Sequence, residues 1–174
     1  MGSGKTAVGR ALAEKLGCPW GDLDRMLEKS DLEKRSCSEI IESEGEDAFR
    51  NLEFRILEEW VLSAGKKRQL LSLGGGAIVH EGVRGILKSP DFWVIWLRAD
   101  PTALAERVEK EGIPSRPLLG DPADRGDLVR RITRLLDDRN PLYSMAADQI
   151  LDTETSTVEK IVQDLEVQFR EVKG

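Results

Sequence analysis

The stretch that most constrains this chain stands at its start, Gly2-Ser3-Gly4-Lys5-Thr6. It has the form of the end of a phosphate-binding loop. Glycines allow a tight turn that brings consecutive backbone N–H groups onto phosphate oxygens. A lysine reaches the outer phosphates, and a threonine hydroxyl serves Mg²⁺. Val8, Ala11, Leu12 and Leu16 then recur at helical spacing, and Gly17 is a natural stop. A helix beginning at Thr6 aims its positive end at the phosphates. The full pattern also has an earlier glycine and an apolar strand before it, so a strand upstream of Met1 is expected. Two other readings fit the same residues. Met1-Gly2-Ser3 matches a cloning remnant, and Met1, Gly2 and Thr6 satisfy the N-myristoylation pattern.

The remainder of the chain decides between them. A length of 174 residues suits one domain with a real core. A formal net charge of −6 argues against nucleic acid as a partner while leaving room for a local basic pocket. Cys18 and Cys37 form no CxxC pair and suit reduced thiols of the cytosol. His80 is the only histidine, which disfavours a histidine-rich zinc site or a Ser-His-Asp triad. No apolar run approaches the ~20 residues of a membrane span.

In chain order, Cys18 to Asp24 reads as a short strand ending in acids, with Asp22 and Asp24 on one face. An alternative reading makes them a helix cap and a turn acid. Arg25 to Lys34 reads as a helix with Met26, Leu27 and Leu32 inward, and Ser38 to Glu44 as another. A longer helix runs from Glu46 to about Ala64 on the stripe Phe49, Leu52, Ile56, Leu57, Trp60 and Val61. Arg50 sits in its first turn, against the helix dipole, which suggests a reason for being there.

Gln69 to Leu73 is a buried strand leading into Gly74-Gly75-Gly76. Three glycines at a strand's carboxyl end permit close approach to a ligand, and ligands bind at that edge of open α/β sheets. Phe92 to Leu97 reads as a strand of a parallel sheet covered on both faces. A helix from Pro101 to about Lys110 carries Arg107. Residues 111–126 are irregular and rich in glycine and proline, and about 112–124 reads as a lid carrying Arg116. A helix from Asp127 to Arg139 ends at Asn140-Pro141. A last strand, Gln149 to Leu151, and a helix capped by Thr157 close the chain.

Together these pieces resemble shikimate kinase along nearly the whole chain. The resemblance rests on Gly2-Ser3-Gly4-Lys5-Thr6, Asp22-x-Asp24, Gly45-Glu46-x-x-Phe49-Arg50-x-x-Glu53 and Gly74-Gly75-Gly76. Arg116-Pro117-Leu118-Leu119 and Arg139-x-Pro141-Leu142-Tyr143 complete it, in the family's order. It implies a single α/β domain over 1–174, with a P-loop-type parallel sheet and helices on both faces. The implied reaction is transfer of the γ-phosphate of ATP to the 3-hydroxyl of shikimate, with Mg²⁺, in aromatic amino-acid biosynthesis.

By the same resemblance, Arg50 and Arg139 grip the substrate carboxylate, with Gly74, Gly75 and Gly76 alongside. Asp24 binds hydroxyls and orients, or takes the proton of, the attacking one. Gly2, Ser3, Gly4, Lys5, Thr6 and Ala7 cradle the nucleotide, Arg107 lies against the adenine, and Thr6 and Asp22 serve Mg²⁺. Lys5 and Arg116 surround the transferred phosphoryl. Glu53, one turn from Arg50, pairs with it. Two departures stand out: Ala7 replaces the family's usual second hydroxyl residue, and the segment between Arg107 and Arg116 is longer. The expected protein is a cytoplasmic monomer without nucleic-acid or membrane partners. Other readings are a further small-molecule kinase such as a gluconate kinase, a catalytically impaired nucleotide-binding relative, or a myristoylated peripheral protein.

Overall fold

The computed structural model describes residues 2–65, 67–111 and 117–173. Helix α1, Lys5–Leu16, starts at Gly4, whose left-handed backbone (φ 84) lets the loop turn directly into the helix. Gly17 ends it in the same conformation, its N–H bonding back to Ala13 and Glu14. Strand β1, Trp20–Asp22, follows, then α2, Leu23–Ser30, α3, Cys37–Glu44, and α4, Glu46–Ala64. Strand β2, Leu70–Ser72, leads to a short 3-10 turn at Ala77–Val79 and α5, Glu81–Leu87. Strand β3, Ile95–Arg98, precedes α6, Pro101–Glu111, and a second 3-10 turn, Pro117–Leu119. Helix α7, Arg125–Ala146, strand β4, Gln149–Asp152, and helix α8, Val158–Lys173, complete the chain.

The strands form two parallel pairs. In one, Trp20, Gly21 and Asp22 of β1 stand opposite Leu70, Leu71 and Ser72 of β2. In the other, Ile95 to Arg98 of β3 stand opposite Gln149 to Asp152 of β4. Among the described residues no strand joins the pairs. A cleft of about 420 Å³ lies between them, with Leu73–Gly75 on one side and Val94–Asp100 on the other.

Both faces of the β1–β2 pair are covered, whereas the second face of β3–β4 is partly open, with Ile150 43% exposed. Leu70 packs with Val8 and Leu12 of α1 and with Ile161, Val162 and Leu165 of α8. Leu71 and Leu73 point the other way, to Leu23, Ile56, Leu57 and Val83. Ile95 and Leu97 share the α1–α8 core, whereas Trp96 meets Tyr143 of α7 with ring centroids 5.3 Å apart. Alternating side chains thus divide the domain into helix, strand and helix layers. A third core of Leu104, Ala105, Val108, Leu119, Leu128 and Ile132 joins α6 to α7.

Three expectations from the sequence are corrected. First, α2 stops at Ser30, and Leu32, expected inward, is 99% exposed. The Ser30 hydroxyl donates to the Leu27 carbonyl, and Asp31 turns out of the helix to take the Arg35 guanidinium at 2.7 Å. Second, β1 ends at Asp22, so Asp24 sits in the first turn of α2 and shares no strand face with Asp22. Third, α7 runs through Pro141 instead of ending there. Proline in a helix interior removes one hydrogen bond and costs ~3 kcal/mol. Here both flanking turns are anchored: Arg139 is buried, and the Tyr143 hydroxyl donates to the Gly75 carbonyl. The continuous helix keeps Arg139 and Tyr143 one turn apart on one face.

Candidate functional site

The phosphate loop is oriented from below by Ser72. Its hydroxyl donates to the Lys5 carbonyl at 3.3 Å and accepts from the Trp20 indole at 3.1 Å, tying α1 to both β1 and β2. Gly9 makes this approach possible, since a β-carbon there would stand 2.6 Å from the Ser72 hydroxyl. Above, the Arg107 guanidinium donates to the Gly2 carbonyl at 3.1 Å and to the hydroxyl and carbonyl of Thr153 at 2.9 and 2.8 Å. Ser3 is buried between these supports, while Gly4, Thr6 and Ala7 are open at the start of α1.

The Thr6 hydroxyl donates to Asp22 Oδ2 at 3.0 Å. Asp22 also caps α2, accepting from the Arg25 N–H. The capping role and the proximity to Thr6 therefore coexist on the two oxygens of one carboxylate. A hydroxyl and a carboxylate side by side at a helix N-terminus are hard oxygen donors suited to Mg²⁺, which takes one or two protein ligands and fills its shell with phosphate and water. No larger cluster of metal-ligating side chains occurs among the described residues.

The second half of the site is a smaller cavity of about 150 Å³, bounded by Lys5, Asp24, Arg50, Glu53, Gly74–Gly76, Leu118, Leu119 and Arg139. Helix α3 forms one wall through Cys37, Ser38 and Ile41. Arg50 is 7% and Arg139 9% exposed, so two guanidinium groups are held largely out of water. Arg50 Nη1 donates to Glu53 Oε2 at 2.5 Å, and Nε and Nη2 donate to Glu46 Oε1 at 3.2 and 2.8 Å.

The glycine triplet works here through close approach, not through unusual dihedrals. A β-carbon at Gly76 would overlap the Arg50 guanidinium. One at Gly74 would stand 2.7 Å from both Asp24 Oδ1 and Glu53 Oε1. The strand end thus carries no side chain where an arginine and two carboxylates must fit.

Burial pushes Glu53 up to about 6; Arg50 opposes this and the charge of Asp24 adds to it. Its Oε1 accepts no hydrogen bond from any described residue. Asp24 is exposed as a residue, but its carboxyl points inward to Gly74. The enclosing walls, then the charge of Asp22, raise it above the usual carboxylate range, with Lys5 opposing. The Cys37 thiol is pushed strongly upward by burial and by the neighbouring carboxylates, which makes it a poor nucleophile.

The structure therefore gathers Lys5, Asp24, Arg50, Gly74, Gly75, Gly76 and Arg139 around one cavity, with Thr6 and Asp22 paired at its phosphate end. Arg107 is engaged with Gly2 and Thr153. Arg116 and the first part of the expected lid lie outside the described residues. Leu118 and Leu119 line the cavity, and Leu119 is fixed by Arg131, which donates to its carbonyl at 2.6 Å. Sequence reasoning assigned no role to Glu46. Its place in the first turn of α4, four residues before Arg50, was the available signal.

An anion-binding helix start beside a cavity lined by two buried arginines and a carboxylate is the frame of a phosphotransferase for a small anionic alcohol. The family model for shikimate kinase matches residues 1–169. A shikimate kinase of Symbiobacterium thermophilum is 36% identical over 171 residues, covering 98% of this chain and 92% of its own. One from Gloeobacter violaceus is 42% identical over 146 residues, covering 84% and 76%. Among solved structures, the shikimate kinase of Acinetobacter baumannii in complex with shikimate superposes with a TM-score of 0.84 at 30% identity, covering 99% of this chain and 90% of that one. The chain belongs to the shikimate kinase family.

Proposed function

We propose that this protein transfers the γ-phosphoryl group of ATP to the 3-hydroxyl of shikimate. The observation that carries the reading is the pair of buried arginines, Arg50 and Arg139, lining one cavity with Asp24 and Lys5. The planar forks of the two guanidinium groups suit the substrate carboxylate. Asp24, its basicity raised by its surroundings, accepts the proton of the attacking hydroxyl. Backbone N–H groups of Gly2 to Ala7 and the Lys5 ammonium receive the phosphates, where catalysis is mostly positioning and charge neutralisation.

Thr6 and Asp22 would hold Mg²⁺, which supplies positive charge at the phosphate oxygens. Arg116 completes the cationic ring, and about 112–124 acts as its lid. Support for the lid comes from its composition and from Leu118 and Leu119 at the cavity wall. Arg107 borders the adenine side. No described helix is long and apolar enough to cross a membrane. We place the protein in the cytoplasm as a monomer acting on a small molecule, without nucleic-acid or membrane partners.

A coupled assay of ADP release with shikimate, gluconate and other hydroxy acids tests the reading. Shikimate-dependent release is expected, and release with gluconate alone would replace it with the gluconate kinase alternative.

A further inference from the structure

Arg50 and Arg139 converge on one internal anion. Glu46 Oε1 lies 2.8 Å from Arg50 Nη2 and 3.2 Å from Arg50 Nε, and Arg139 Nη2 stands 4.0 Å from the same oxygen. Both guanidinium groups are nearly buried, whereas the Glu46 side chain keeps 41% of its surface in water. Glu46 is the first residue of α4, next to Gly45, whose positive φ (88) makes the junction a sharp one. The remaining Arg50 contact is of another kind, because Glu53 Oε2 holds Nη1 from a fully buried position. The arginine pair is thus braced from inside by one fixed carboxylate and met from the solvent side by a second, half-exposed one.

We propose that Glu46 is a specificity-determining residue that sets shikimate affinity by competing, as an internal carboxylate, with the substrate carboxylate for Arg50 and Arg139. This inference rests on the proposed shikimate reading. Arg50, Arg139 and Lys5 face the carboxylates of Asp24 and Glu53 around this cavity, and the excess of positive charge attracts a further carboxylate within reach. Glu46 supplies one at the cost of little ordering, since it is tethered to the same helix turn. A substrate carboxylate entering the cavity must displace the Glu46 oxygen or accept its repulsion, and either lowers net affinity. The same competition disfavours weak monovalent anions, which lack the further contacts of a bound substrate. Half-exposure allows Glu46 to swing out into water without leaving an unsolvated charge.

The test is direct binding to the intact protein by calorimetry, comparing wild type with Glu46→Gln. The ligands are shikimate and the analogue in which the carboxylate is replaced by a carboxamide. Glutamine keeps the size and an acceptor oxygen but removes the charge. Glu46→Gln is expected to bind shikimate roughly three- to tenfold more tightly, the range of a partly exposed ion pair. Carboxamide binding should stay within about twofold of wild type. Unchanged or weaker shikimate binding in the variant overturns the inference, because Glu46 would then only prop Arg50. Equal tightening for both ligands overturns it as well, since charge competition cannot act on a neutral group. Failure of wild type to bind shikimate at all would instead defeat the proposed substrate, so the two failures are distinguishable.

Discussion

Arg50 has every edge of its guanidinium assigned: Glu46 on one side, Glu53 on another, Gly76 beneath, and the Phe49 ring with its centroid 5.2 Å away. On the proposed reading, Arg50→Ala removes a charge-assisted contact to the shikimate carboxylate that is made in ground and transition states alike. The shikimate KM should rise roughly 10- to 100-fold, corresponding to about 1.5–3 kcal/mol, with a smaller effect on kcat. Initial rates over a shikimate series check this. Gly76→Ala attacks the same arginine from below. Overpacking of this kind costs ~1–3 kcal/mol, so both the melting temperature and shikimate affinity should fall. Glu53 gives a pH signature. Its folded-state value of about 6 lies above the 4.5 of an ordinary glutamate, so the folded protein binds the extra proton between those two values. The Glu53 contribution to stability is therefore most favourable at and below about 4.5 and declines as pH rises through 6. Relative to wild type, Glu53→Gln should gain up to about 2 kcal/mol in urea unfolding between pH 4.5 and 7. A constant difference across that range would show that Glu53 is not raised.

Among the elements, α3 shows how a modest helix frames the substrate cavity. Ser36 and Glu39 form a reciprocal capping box, the Ser36 side chain accepting from the Glu39 N–H and the Glu39 carboxylate from the Ser36 N–H. Ile40 is fully buried beside Leu27 and Phe49, which sets the wall carrying Cys37 and Ile41. Ser36→Ala should cost ~0.5–2 kcal/mol of stability in chemical denaturation. It should also raise the shikimate KM more than the ATP KM, because α3 borders only the substrate end. Helix α7 makes the complementary point. Its continuity through Pro141 carries Arg139 into the cavity and sets the Tyr143 hydroxyl on the Gly75 carbonyl, so the glycine strand end is fixed by a helix from the other half of the chain.

Across the whole molecule, α1 is a piece common to both strand pairs. It rests on β2 through Gly9 and Ser72 and shares a core with β3 and α8. Arg107 is a second link, joining α6, the phosphate loop and the segment after β4 through three hydrogen bonds. Arg107→Ala should weaken ATP binding and lower stability by about 1–3 kcal/mol, leaving carbonyl and hydroxyl groups on both sides without their charged partner. Calorimetric titration with Mg·ATP and a thermal melt check both effects. A loss of stability with unaltered ATP affinity would confine Arg107 to the scaffold.

Sequence alone determined the phosphate loop and helix, the run of parallel strands and helices and the long α4 stripe, whereas the residues assigned to the cavity came from the resemblance to shikimate kinase. The former are legible because each depends on local chemistry or on a fixed period: glycine freedom at Gly4, apolar recurrence at 3.6 residues along α4, and apolar runs in β2 and β3. The pairing of Arg50 with Glu53 was legible too, since three residues in a helix bring side chains onto one face. Tertiary structure decided the rest. Pro141 stays helical because Arg139 and Tyr143 are anchored on either side of it, which no local propensity contains. Asp22 and Asp24 part company because α2 begins directly after β1, sending one carboxylate to Thr6 and the other toward Gly74. Glu46 stood within the family motif at the start of α4, with no role of its own. Only the packing of α7 against α4 brings Arg139 to the oxygen already held by Arg50, and a contact between residues so distant in the chain has no periodicity to announce it.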